Sequence, residues 1–166
     1  RGMLQVTMED FDDRYDAAME QVRSGDKGQA ALAAKFLREV IATDEKFWQP
    51  HLMLALAVRE GEGDAAALGH LMNAVKLRPN DAEIRNLIAA ILRKQGRPKE
   101  AVEHLRAVVA INPRDIEPVV SLASTMRDAN MFEEARQVCQ AALQAAPNHP
   151  DFTAILASLP APKQPS

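Results

Sequence analysis

A single interval, 34 residues, recurs throughout the chain and limits what it can fold into. Pro79, Pro113 and Pro147 stand 34 apart. So do Ala33, Ala67, Ala101 and Ala135, and also Ala55, Ala89 and Ala123. Leu37, Leu71 and Leu105 form a further ladder that Cys139 continues, and Leu54, Ile88 and Leu122 another. Several ladders in phase mark an internal repeat, and a repeat of this length cannot bury its apolar surface alone; neighbouring units have to stack.

The unit between successive prolines is two helices. From Asp81 onward, Ile84, Leu87, Ile88, Ile91 and Leu92 follow the three-and-four spacing of an amphipathic helix. "QGRP" at 95–98 interrupts it, with Gly96 suited to a helix end and Pro98 to the first turn of the next. Ala101, Leu105, Val108 and Val109 then line one face of a second helix, which Pro113 stops. Asp115 is placed to cap the next helix, with Pro118 in its first turn. Composition agrees: 47% of residues are hydrophobic but only 4% aromatic, and alanine is abundant, which suits helices in close contact.

This pattern resembles the tetratricopeptide repeat family, whose helical hairpins of the same length carry small residues in fixed slots and a proline after the second helix. The small residue of its helix A matches Ala55, Ala89 and Ala123, the alanine of helix B matches Ala67, Ala101 and Ala135, and the terminal proline matches Pro79, Pro113 and Pro147. The large aromatic expected early in helix A is absent; His51, Arg85 and Val119 stand there. The resemblance implies an all-α fold, a right-handed α-solenoid of stacked antiparallel helical hairpins, with about four repeats and a short C-terminal capping helix. The units fall at about 8–47, 48–81, 82–115 and 116–149, with the cap at 150–159 and a Pro-rich tail or linker at 160–166. In the first unit, Phe11, Tyr15, Met19 and Val22 form a stripe that strict phase does not reproduce, so an insertion in "SGDKGQ" (24–29) is expected. Residues 1–7, which lack an initiator Met, read as an expression remnant, a disordered start, or the stretch left after removal of a leading segment. The compartment stays open, with the cytoplasm favoured over the periplasm.

The family presents its A helices along a concave groove. Carried over slot by slot, the groove residues are Gln49, Leu52, Leu56 and Arg59; then Glu83, Asn86, Ala90 and Arg93; then Glu117, Val120, Ser124 and Arg127. Arg59, Arg93 and Arg127 stand in phase. They suit an acidic partner held by paired hydrogen bonds. The favoured reading is plainer: cations at helix C-termini and acids or Gln at N-termini answer the helix dipole. The carboxylate clamp of chaperone-binding relatives is not reproduced, because Ala18, Val22, Met53, Glu83 and Leu87 occupy its slots.

Other features point away from catalysis. No nucleophile–base pair can be argued. His70 and His104 share a slot on successive B helices but have no carboxylate or Cys in phase, so they read as surface histidines and not metal ligands. "EGEGDAA" (60–66) has neither a calcium-loop nor a phosphate-loop pattern. Cys139, the one cysteine, reads as buried and inert, and Trp48 as an anchor for the preceding turn and not a ligand platform. No cofactor is expected. The net charge of −3 argues against nucleic acid, and no apolar run reaches membrane-spanning length. The expected function is a non-catalytic scaffold that binds a peptide or partner segment. Rivals are a recruiting domain of a larger enzyme, such as a transferase, and a self-assembling structural protein. The acidic helix "MEDFDDRYDAAME", with six acids and one Arg, reads first as a helix whose apolar face packs on helix B with its acids solvated; for the last rival, it would instead dock on the Arg ladder of a second copy and give a head-to-tail homo-oligomer.

Overall fold

The computed structural model describes residues 8–43, 48–61 and 63–163. Residues 1–7, residues 44–47, Glu62 of the "EGEGDAA" turn, the last three residues of the tail and the side chains of residues 8–12, Phe11 and three of the acids of "MEDFDDRYDAAME" among them, and of Glu60 lie outside that description. Among the described residues there are helices and no strands. They are α1 (Met8–Arg23), α2 (Lys27–Thr43), α3 (Trp48–Gly61), α4 (Asp64–Leu77), α5 (Ala82–Lys94), α6 (Pro98–Ile111), α7 (Ile116–Asp128), α8 (Phe132–Ala145) and α9 (Pro150–Ser158). They gather into two compact units, one ending at Pro79 and one beginning at Asn80. In the first, α1 packs on α2, α2 on α3 and α3 on α4; in the second, the same neighbour-to-neighbour order runs from α5 to α9.

The prolines act through the residue before them. Arg78, Asn112 and Ala146 end α4, α6 and α8 with nearly superposable backbones, φ/ψ of −133/73°, −136/84° and −134/77°. A residue preceding proline is excluded from the helical region, so each helix must stop there. Two residues beyond each proline, the chain starts another helix. Asp81 accepts from the Ile84 N–H at 3.1 Å and Asp115 from the Glu117 N–H at 3.3 Å. In the third copy of the turn the capping residue is His149, whose Nδ1 accepts from the Asp151 N–H.

The tight turns inside hairpins repeat as closely. The N–H groups of Gly63, Arg97 and Met131 donate to the carbonyls of Val58, Leu92 and Met126 at 2.9, 2.8 and 2.8 Å. The residue before Arg97 and Met131 must take positive φ: Gly96 does so at 74° and Asn130 at 61°. Glycine meets no Cβ penalty there, and Asn is the side chain that tolerates it best.

The small-residue ladders are the contact seams. Ala33, Ala67, Ala101 and Ala135 are each 0% exposed. Ala55, Ala89 and Ala123 are buried, as are Leu37, Leu71, Leu105 and Cys139. In the first hairpin, Ala18 is the buried alanine of the A helix, three residues ahead of strict phase. The difference is absorbed in α2, which has 17 residues where α4, α6 and α8 have 14. The extra residues fall within 24–29, where the insertion is expected, and Asp26 caps the lengthened helix through the Gln29 N–H at 3.0 Å.

Two anchors close the ends of hairpins. Trp48 lies under the guanidinium of Arg78, 4.5 Å from the ring centre, and so ties the start of α3 to the end of α4. The preceding turn, which Trp48 is expected to anchor, falls at residues 44–47 and lies outside the described residues. At the C-terminal end, Phe152 and Ile155 of α9 are buried against Ala123 and Cys139. Enlarging a seam residue should cost more than any surface change. Ala101→Leu is expected to destabilise by about 1–3 kcal/mol, read as a lowered urea midpoint at unchanged m-value.

Candidate partner-binding groove

In the first unit, the A helix α3 carries Gln49, Leu52, Leu56 and Arg59. Gln49 is exposed and Leu56 half-buried, but Leu52 is only 6% exposed and belongs to the core. His51, Met53, Leu54, Ala55, Ala57 and Val58 are buried too, so α3 is apolar around most of its circumference and offers little surface. Arg59 turns to the next helix and donates from Nε to Asp64 Oδ1 at 2.9 Å. That carboxylate stands in the first turn of α4, where the helix dipole favours an acid.

In the second unit the A helices are α5 and α7. Glu83, Asn86, Ala90 and Arg93 are all exposed on α5. On α7, Glu117 is exposed, while Val120, Ser124 and Arg127 are half-buried. Asn86, Ala90, Arg93 and Glu117 line one cleft of ≈ 360 Å³ together with Pro118 and Ser121, floored by Ala89 and by Leu105 of α6. A second space of ≈ 660 Å³ shares Ala90 and Arg93 and adds Lys94 and Asp128. Val120 faces elsewhere, packing against the α9 cluster.

The two arginines of this unit converge. Arg93 donates from Nη2 to Ser124 Oγ at 3.5 Å and to Asp128 Oδ2 at 3.4 Å. Arg127 donates from Nη2 to the same Ser124 Oγ at 3.4 Å and from Nη1 to Ser158 Oγ at 3.0 Å, and its Nε lies 3.5 Å from Asp128 Oδ1. One carboxylate therefore serves two guanidiniums, and this group keeps a surplus of positive charge. Side-chain exposures of 37%, 33% and 43% for Arg93, Arg127 and Asp128 leave each ion pair open to water. Such pairs contribute about 0–1 kcal/mol and can be exchanged for others.

Helix electrostatics explains Arg59, Arg93 and Arg127 in the last turns and Glu83 and Glu117 in the first. It does not explain Asp128, the last residue of α7, where the dipole disfavours a carboxylate. Sequence reasoning missed Asp128, Ser121 and Pro118. The signal available for Asp128 was an acid at a helix C-terminus directly after an arginine.

Outside the groove, His104 and Cys139 have defined surroundings. Arg85 Nη1 donates to His104 Nδ1 at 3.2 Å. Burial, and after it the charge of Arg85, holds the His104 imidazole below its ordinary value. Burial pushes the Cys139 thiol up, with Arg127 acting against it. Among the described residues no group of three or more His, Cys, Asp and Glu could hold a metal ion, and no helix is long and apolar enough to cross a membrane.

A family model described as Tetratricopeptide repeat matches residues 57–124 and 92–159, together more than half of the chain. No curated protein matches by sequence. Among solved structures, MamA from Desulfovibrio magneticus RS-1 is 22% identical, with 90% of this chain and 84% of that one covered and a TM-score of 0.70. MamA of AMB-1 is 18% identical over 87% of this chain and 83% of that one, at a TM-score of 0.66. YrrB, described as a TPR protein with an unusual peptide-binding site, is 18% identical over 78% of this chain and 66% of that one, at 0.66. These likenesses show the fold.

The lowered His104 value has a pH consequence with a definite sign. Between its folded value and the ordinary 6.5 the unfolded chain binds more protons, so stability rises with pH there. This contribution is fully present above the ordinary value and is lost as pH falls through it towards the folded one. His104→Gln should flatten the dependence of the urea midpoint on pH below neutrality.

Proposed function

The chain belongs to the tetratricopeptide repeat family, and we propose that it is a non-catalytic protein-interaction scaffold that holds an extended, acidic partner segment between α5 and α7. The observation that carries the reading is the convergence of Arg93 and Arg127 on Ser124 and Asp128 beside a cleft lined by Asn86 and Ala90. Asn86 offers an amide to a peptide backbone. Ala90 keeps the wall low, and Pro118 gives an apolar contact. A carboxylate of the partner competes with Asp128 for the two guanidiniums, which bind it by paired hydrogen bonds. The fold likeness to YrrB, a peptide-binding TPR protein by its description, supports peptide binding as a use of such a groove. Glu83, Glu117, Ser124 and Val120 border the site. In the first unit, Gln49, Leu56 and Arg59 are the equivalent groove positions, with Leu52 serving as support beneath.

Asp128 separates this reading from helix electrostatics. Acidic peptides selected for binding from a random library serve as probes, with affinities measured by fluorescence anisotropy. Arg93→Ala with Arg127→Ala should weaken them at least tenfold, about 1.4 kcal/mol. Asp128→Asn should tighten them, because it removes the competing carboxylate. If the arginines serve only the helix dipole, neither change will alter affinity.

A further inference from the structure

The contacts that join Arg93 and Arg127 to Ser124 and Asp128 are all long. Arg93 Nη2 lies 3.5 Å from Ser124 Oγ and 3.4 Å from Asp128 Oδ2. Arg127 Nη2 lies 3.4 Å from the same hydroxyl, and its Nε 3.5 Å from Asp128 Oδ1. Satisfied N–H···O bonds run at about 2.7–3.2 Å, and charge-assisted ones at about 2.7–2.9 Å. A shorter bond of 3.0 Å, from Arg127 Nη1 to Ser158 Oγ, ties that arginine to the last residue of α9. Two guanidiniums from successive hairpins are therefore held side by side with their donors underused. Resting on the reading of the groove given above, we infer that this frame is a phosphate site: the acidic group of the partner segment is a phosphorylated side chain, which takes the place of Asp128 between Arg93 and Arg127.

Charge separates a phosphate from a carboxylate here. Asp128 offsets one of the two guanidinium charges. A partner carboxylate in its place would leave the same imbalance and exchange one weak ion pair for another. A phosphorylated side chain brings a charge of about −1.5 to −2 at neutral pH and three strong acceptor oxygens, which two guanidiniums can meet in full. Arginine clusters are a recurring means of holding such groups. Ser124 adds a donor: its Oγ accepts from both arginines, and among the described residues its own hydroxyl hydrogen has no acceptor. The frame is reachable, since Arg93 and Asp128 line the ≈ 660 Å³ space into which Lys94 also faces. Asp128, already 43% exposed, turns to water when displaced. The other end of the groove limits how much negative charge can enter. Asp115 and Glu117 line the adjoining cleft, and Glu83 is exposed on α5. These acids repel the successive phosphates of a nucleic acid strand, whereas Asn86 and Pro118 in the same cleft suit the neutral stretch of a peptide that carries one phosphate.

The test starts from a library-selected acidic peptide in which each Asp or Glu is replaced in turn by phosphoserine, with affinities read by fluorescence anisotropy. At one position phosphoserine should bind about tenfold more tightly than the acid it replaces, the worth of an added charge-assisted hydrogen bond. That advantage should vanish in the protein carrying Arg93→Ala with Arg127→Ala. It should shrink in the protein carrying Arg93→Lys with Arg127→Lys, which keeps both charges and loses the paired donors. Phosphoserine that binds no better than Asp or Glu at every position, while the acidic peptide still depends on both arginines, would overturn the phosphate site and leave the carboxylate reading of the groove intact. Peptides indifferent to the arginines, phosphorylated or not, would overturn both. A phosphoserine advantage that survives loss of the arginines, or an oligothymidylate that displaces the phosphopeptide at equal concentration, would also overturn the inference.

Discussion

The contact on which everything else depends is the close approach of two helices through alanine. Ala67, Ala101 and Ala135 are fully buried in B helices, and Ala55, Ala89 and Ala123 are buried in their A partners. A methyl group is the largest side chain that lets the backbones come so near. Larger side chains from the flanking positions, Leu71, Leu105, Ile88 and Leu54, then fill the seam. Once this spacing is fixed, the hairpin turns must be short and uniform. The same Val58, Leu92 and Met126 carbonyls receive the chain at each one. The pre-proline residues end α4, α6 and α8 at the same point of the repeat.

That regularity places α5 and α7 side by side with α6 beneath them, and it makes a groove of what would otherwise be two helix surfaces. The repeat supplies position; local substitutions supply character. Asn86 lines the cleft with an exposed amide. Asp128 sets two arginines in a shared frame. His149 replaces an acid in the capping slot. In each case the fold tolerates the change because the slot is exposed or half-exposed, outside the alanine seam.

Much of this was legible in the sequence because repetition multiplies weak signals. One proline or one alanine says little, but ladders of them in phase specify hairpins, seams and turns together. The groove was legible only in part. Phase grouped Asn86, Ala90, Arg93 and Glu117, and these four line one cleft, since helical position determines direction. It could not foresee that Leu52 is buried, because α3 is apolar on nearly every side and position alone does not say which side is covered. Nor could it foresee that Asp128 joins Arg93 to Arg127, a contact between different hairpins made by side-chain ends. The first hairpin was hardest to read, because three additional residues in α2 shift Ala18 out of phase with the other ladders.

The central claim is that a partner segment lies between α5 and α7. The most direct measurement is a nuclear magnetic resonance map of amide shifts on titration with a selected acidic peptide. The account predicts saturable shifts concentrated on Asn86, Ala90, Arg93, Ser121 and Ser124, with little change on the outward faces of α6 and α8. Shifts concentrated on those outward faces, or on α1, with the groove residues unmoved, would contradict it.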